Sequence, residues 1–162
     1  MIDFGTVYER HANDVFRFAL YLTGNRTVAE DVTAEAFARA WAAVDRIRFG
    51  TVKAYLIAIA RNLCLDACRE LTSSGELPTS VPDQRPDSAR STENKLELDQ
   101  VISDLRRLSD IDRAALLMRA EEELSYEEIA VALGITVTAA KVKVHRARKR
   151  LLELREARRR TT

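Results

Sequence analysis

The chain is poor in the residues that several protein classes require. It holds two cysteines, two histidines, three prolines, five glycines and one tryptophan in 162 residues. So few cysteines exclude a disulfide-stapled scaffold. Cys64 and Cys68 stand one helical turn apart, about 6 Å between Cα atoms, with side-chain vectors poorly arranged for bonding, so they read as small apolar residues in a reducing compartment. His11 and His145 fall in different predicted domains. With no Gly-rich phosphate loop and no cluster at metal-ligand spacing, no metal, cofactor or small-molecule substrate is implied, and the chain is not expected to be an enzyme. The longest fully apolar run, AYLIAIA from Ala54 to Ala60, has seven residues. That is too short to insert in a membrane, and no signal peptide opens the chain, so a cytoplasmic protein is expected. No segment alternates with a period of two over a strand's length, which makes the expected class all-α.

Punctuation then divides the chain. All the prolines, Pro78, Pro82 and Pro86, lie in TSSGELPTSVPDQRPDSARST between Thr72 and Thr92, a polar stretch with almost nothing to bury. It reads as a flexible, exposed linker over residues 72–95 between two small helical domains, 1–71 and 96–157, followed by a frayed basic tail at 158–162.

Net charge conceals an asymmetry. The whole chain carries +1, but residues 134–162 hold ten Lys and Arg against two Asp and Glu, or +8, while residues 96–133 hold four against ten, or −6. The basic end is a local footprint for a polyanion. The acidic Glu121, Glu122, Glu123, Glu127 and Glu128 just before it would repel a phosphate backbone that approached from the wrong side.

The stretch LSYEEIAVALGITVTAAKVKVHRARKRL, Leu124 to Leu151, has the pattern of a helix-turn-helix. Ser125 and Glu128 make a capping box, Gly134 supplies a residue free to take positive φ, and Thr136 is a plausible N-cap for a second helix. On that helix Ala140, Val144, Ala147 and Leu151 form one apolar stripe. The remaining faces carry Lys141, Lys143, His145, Arg146, Arg148, Lys149 and Arg150, a density of charge that suits a DNA groove.

Before the linker, helical periodicity is expected over Phe4–Leu22, ended by Gly24, then over Val28–Val44 and Val52–Leu71. In the second, Phe37 and Trp41 stand at i, i+4 and read as domain core, whereas Asp31 and Glu35 lie on a polar face open to a partner's cations.

Taken in order, AEDVTAEAFARAW (Ala29 to Trp41), AYLIAIARNLCLDACRE (Ala54 to Glu70) and the helix-turn-helix block resemble the bacterial RNA polymerase sigma factors of the extracytoplasmic-function (ECF) subgroup. The resemblance implies a role for each block. Asp31, Glu35, Phe37, Arg39 and Trp41 would contact core RNA polymerase. Lys53, Tyr55, Arg61, Asn62 and Arg69 would bind the minus-10 element of promoter DNA, offering an aromatic face, an amide and three cations to an opened strand. Thr136, Thr138, Lys141, Lys143, His145, Arg146, Arg148 and Lys149 would bind the minus-35 element as duplex. The family often has Trp near Tyr55. It also commonly has Lys-Ser-Arg-Leu-His-Arg-Ala-Arg where this chain has Lys141 to Arg148 as KVKVHRAR, so Val142 lacks a hydroxyl and Lys143 a bidentate fork. An anti-sigma protein is a further implied partner.

Two other readings explain the same carboxy-terminal residues. One is a stand-alone helix-turn-helix regulator with an amino-terminal sensing or dimerising domain. The other is an adaptor whose basic helix binds an acidic protein.

Overall fold

A computed structural model of the chain describes residues 3–43, 51–73 and 90–161, without the side chains of 72–73 and 90–94. They form seven helices and no strand: α1 (Phe4–Thr23), α2 (Arg26–Ala42), α3 (Val52–Ser73), α4 (Arg90–Arg106), α5 (Asp110–Ala120), α6 (Tyr126–Leu133) and α7 (Val137–Thr161). The proline-bearing segment 74–89, and with it the expected flexible linker, lies outside the described residues. Both ends of the expected 72–95 stretch are helical, because α3 runs to Ser73 and α4 opens at Arg90.

Local chemistry accounts for the boundaries. Asp3 caps α1 by accepting from the Gly5 N–H at 3.1 Å, and Gly24 closes it at φ 67°. Asn25 caps α2 by accepting from the Val28 N–H, so α2 starts two residues earlier than periodicity alone suggests. Thr51 caps α3 through the Ala54 N–H at 3.1 Å, and Ser109 caps α5. The capping box at Ser125 and Glu128 is present as expected, as is Gly134 at φ 66°. Thr136 accepts from the Ala139 N–H at 3.0 Å and opens α7.

The amino-terminal half packs α1, α2 and α3 together, and the carboxy-terminal half packs α5, α6 and α7. On α1, Val15, Phe18, Ala19 and Leu22 recur at i, i+3, i+4 and i+7 and are buried. Ala29, Val32, Ala36, Phe37 and Ala40 of α2 and Leu56, Ile57, Ala60 and Cys64 of α3 close over them. Alanines at the contacts let these helix axes approach closely, while Phe18, Leu56 and Ile57, fully buried, each stabilise the fold by about 1.5–3 kcal/mol. Burial pushes the Cys64 and Cys68 thiols up from their ordinary range, which favours the protonated form of both.

The two halves also pack on one another: α1 meets α4 and α5, and α3 meets α6, so one core runs through both. Arg113 of α5 bridges the seam, donating from Nη1 to the Leu22 carbonyl at 2.8 Å and from Nε to the Leu105 carbonyl at 2.9 Å. It thereby satisfies an orphan carbonyl in the last turn of α1. Glu128 does two jobs at once. Its Oε1 accepts from the Ser125 N–H at 3.0 Å, and its Oε2 accepts from both the N–H and the hydroxyl of Thr51 at 3.1 Å, so one carboxylate braces the caps of α6 and α3.

Between α5 and α6 the backbone turns at Glu123, which takes φ 56° although it is not glycine. The turn buries Leu124 and aims Glu122 inward, with its side chain 0% exposed and its carboxylate 3.3 Å from Lys53 Nζ. The expectation that Glu122 forms part of a DNA-repelling acidic surface is therefore corrected: its charge faces the seam, not solvent. The frayed-tail expectation for 158–162 is corrected as well, because α7 continues to Thr161 and Arg158 pairs with Asp104 of α4.

Candidate nucleic-acid interface

On α7 the expected apolar stripe is the packed face. Ala140, Val144 and Ala147 are buried, Leu151 is half-buried, and Leu154 extends the row. The opposite faces present Thr138, Lys141, Val142, His145, Arg146, Arg148, Lys149 and Arg150 to solvent, with Thr136 exposed at the cap and Lys143 half-buried. The apolar Val142, 54% exposed, sits amid these cations. Two of the cations have their positions set by the carboxy-terminal half. Lys141 Nζ lies 5.8 Å from the centroid of the Tyr126 ring, which Arg119 also covers at 4.5 Å. Arg146 donates from Nε and from Nη2 to the two oxygens of Asp112, each at 2.9 Å. That paired hydrogen bond holds the Asp112 carboxyl below the usual carboxylate range.

The residues expected to bind minus-10 DNA divide into two groups. Asn62 and Arg69 are exposed on α3, and Tyr55 is half-buried. Lys53 faces the seam, and Arg61 lies partly against it while its Nη1 donates to the exposed Asn62 Oδ1 at 3.4 Å. Lys53 lies between Asp14 at 3.7 Å and Glu122 at 3.3 Å. Arg61 lines a cavity of about 30 Å³ with Leu22, Cys64, Cys68, Asp110 and Arg113, and its Nε is buried without a hydrogen-bond partner. Spacing along a helix could not reveal this division, because the face that Lys53 and Arg61 share is defined by the half that packs on it.

On α2, Asp31 is exposed, and Glu35 pairs with Arg39 at 3.0 Å on the surface. Phe37 is buried as expected, with Tyr8 edge-on at 4.9 Å. Trp41 corrects the core expectation. It is 61% exposed, resting edge-on against Phe4 at 4.5 Å in the last turn of α2. Among the described residues no group of His, Cys, Asp and Glu could hold a metal ion, and no helix is long and apolar enough to cross a membrane.

A three-helix half bearing exposed amide and basic groups, followed by a helix-turn-helix with a cationic second helix, places groups suited to nucleic acid on both halves of the chain. Residues 7–73 match the family described as Sigma-70 region 2, and residues 98–151 match Sigma-70, region 4. The ECF RNA polymerase sigma factor SigM of Bacillus subtilis is 31% identical over 91% of this chain and 92% of its own length. SigE of Mycolicibacterium smegmatis is 32% identical over 88% of this chain, which spans 57% of that longer protein. Among solved structures, the sigma factor RpoE of Bartonella quintana, in complex with the anti-sigma factor NepR, superposes with a TM-score of 0.78 at 28% identity, covering 95% of this chain and 97% of that one. CnrH, in complex with the cytosolic domain of CnrY, gives 0.73 at 27% identity over 95% and 88%.

The chain belongs to the ECF family of RNA polymerase sigma factors, which are not enzymes but subunits that direct core RNA polymerase to promoters. Core polymerase and promoter DNA are its partners. The stand-alone regulator reading is not favoured, since the amino-terminal half is a sigma region rather than a sensor.

Proposed function

We propose that the two halves divide promoter recognition between them, and that the free protein keeps part of this surface closed. In this reading α2 docks on core polymerase through Asp31, Glu35 and Arg39 together with the exposed Trp41, while Phe37 holds the helix. Tyr55, Asn62 and Arg69 of α3 meet the opened minus-10 strand, and α7 enters the minus-35 duplex. The observation that carries closure is the position of Lys53 and Arg61. Two of the three cations assigned to the minus-10 strand are turned into the seam, one of them against a carboxylate with no exposed side-chain surface. Movement of α5 and α6 off α3 would free Lys53 from Glu122 and open more of both cations to a strand.

Core polymerase supplies the driving force by holding the halves at the separation of the two promoter elements, where each weak contact raises the effective concentration of the other. The free chain therefore binds promoter DNA weakly and binds it tightly with core, in the cytoplasm, where both partners are found. An anti-sigma protein, as NepR is in the solved complex of RpoE, would act by stabilising a state in which these surfaces are not available. A gel-shift titration of promoter DNA with and without core tests the reading, and equal affinities would overturn it. In a paired assay on a linear promoter template, transcripts appear only when the chain and core are combined.

A further inference from the structure

Asp112 stands in the first turn of α5, a helix with no part in the expected interface, yet it is the residue that orients a cation of α7. Its N–H donates to the Ser109 hydroxyl at 3.3 Å, which anchors it within the cap of α5, and its side chain is 10% exposed. Arg146 approaches it side-on, using Nε and Nη2. A guanidinium carries a second donor edge, formed by Nη1 and the outer hydrogen of Nη2, and the Arg146 side chain remains 58% exposed. Arginine's flexible stem is thus locked at its tip, with one fork spent on the carboxylate and the other turned outward.

Charge decides which acceptor such a group suits. An arginine that serves to hold phosphates works by net positive charge, and an adjacent ionised carboxylate cancels that charge, so Asp112 is a liability for phosphate attraction. Reading a base edge depends on the plane and direction of the fork, and for that a rigid carboxylate backing is an asset. Guanine presents O6 and N7 side by side in the major groove, the two-acceptor edge that an arginine fork fits.

We propose that Arg146 reads a guanine in the minus-35 element and that Asp112 is its positioning residue. The proposal rests on α7 facing duplex DNA. Lys143, the other cation whose charge acts on Asp112, is half-buried and acts with Arg146 to keep the carboxylate ionised. The exposed Lys141, Arg148 and Lys149 are left to the phosphates.

The test uses the full chain with core polymerase on a panel of promoter templates in which each minus-35 base pair is replaced singly. Arg146→Ala should flatten discrimination at one G·C pair by about tenfold. Arg146→Lys should flatten it equally despite keeping the charge, and 7-deazaguanine at that position should remove the wild-type preference. Asp112→Asn should produce opposite effects on two readouts. Discrimination at that same pair falls several-fold, while non-specific binding strengthens and its salt dependence steepens by about one counterion, because Arg146 is no longer neutralised. In the Arg146→Ala background Asp112→Asn should leave discrimination unchanged, although removing a carboxylate near DNA still strengthens non-specific binding. Asp112→Glu, which keeps the charge but misplaces it, guards against a folding defect in the Asn variant and should lose discrimination without gaining non-specific affinity.

A uniform loss on all templates from Arg146→Ala, with a shallower salt slope, would make Arg146 a phosphate contact and overturn the proposal. So would an Asp112→Asn effect on discrimination that persists without Arg146. If no minus-35 replacement alters wild-type binding and Lys149→Ala is also silent, the placement of α7 on DNA fails instead.

Discussion

Glu122 offers the sharpest test of the seam between the halves. Its side chain is 0% exposed, neither carboxylate oxygen accepts a well-formed hydrogen bond, and among the described residues its ion-pair partner is Lys53 Nζ at 3.3 Å, itself shared with Asp14 at 3.7 Å, with Arg17 a further favourable charge. Burial raises the carboxyl above its ordinary value of 4.5; Lys53 opposes the shift and Asp14 adds to it. The desolvation of the carboxylate thus outweighs the attraction of the lysine, as it does in many buried pairs. The sign follows. The folded state holds the proton more tightly than the unfolded chain does, so the stabilising contribution is complete below the ordinary glutamate value and is lost as pH rises through the raised one. The slope is at most about 1.4 kcal/mol per pH unit, the limit for a single proton.

Glu122→Gln mimics the protonated carboxyl and has no such slope. Urea unfolding at a series of pH values rising from about 4, below the ordinary glutamate value, should find the two proteins alike at the acid end. The variant should gain on the wild type as pH rises, and the gap should level off once the wild-type carboxyl is ionised. His11, whose ionisation burial disfavours, titrates in both proteins and drops out of the difference. A difference independent of pH, or a wild type more stable than the variant at the alkaline end, would refute the reasoning. The pair would then be an ordinary stabilising salt bridge.

Other perturbations separate backbone strain, capping and contact. Gly134→Ala meets nothing within 4 Å and should cost only the strain of φ 66°, about 1–2 kcal/mol, whereas Gly24→Ala puts a Cβ 2.4 Å from Arg106 Nη2 and 2.9 Å from Ile102 Cγ2 and should lower the melting temperature further. Equal shifts would contradict that geometry. Ser125→Ala should cost about 1 kcal/mol as a lost N-cap, and Glu128→Ala more, because Thr51 loses its acceptor as well; urea midpoints decide the order. Trp41→Ala should change stability by no more than about 1.5 kcal/mol, the value of its edge contact with Phe4, yet reduce retention of core polymerase in a pull-down at least about tenfold; unchanged retention would remove Trp41 from the docking surface.

Much of this architecture was legible in the chain because it depends on near neighbours. The capping box at Ser125 and Glu128, the left-handed glycines at 24 and 134, the Thr136 cap and the stripe Ala140, Val144, Ala147 are all encoded within one or two helical turns, where propensity and periodicity act. The order of the three motif blocks carried the family. The early start of α2 was also local: the Asn25 cap extends the helix two residues ahead of its apolar repeat.

Contacts between residues distant in the chain decided the rest. Asp112 and Arg146 are 34 positions apart, and Thr51 and Glu128 are 77 apart. No periodicity links them, because which faces of α3, α5 and α7 meet is fixed by how whole helices pack. Lys53 and Arg61 look like solvent cations on a helical wheel until a second layer covers them. Trp41 looks like core by its spacing from Phe37, yet it is exposed in the last turn of α2. Sequence alone determined the turn at Gly24, the capping box and glycine turn around α6, the cap that opens α7, and what kind of protein the helices compose. Tertiary structure alone decided which charges face solvent and which are spent on one another, since burial and pairing arise only when the surfaces are brought together.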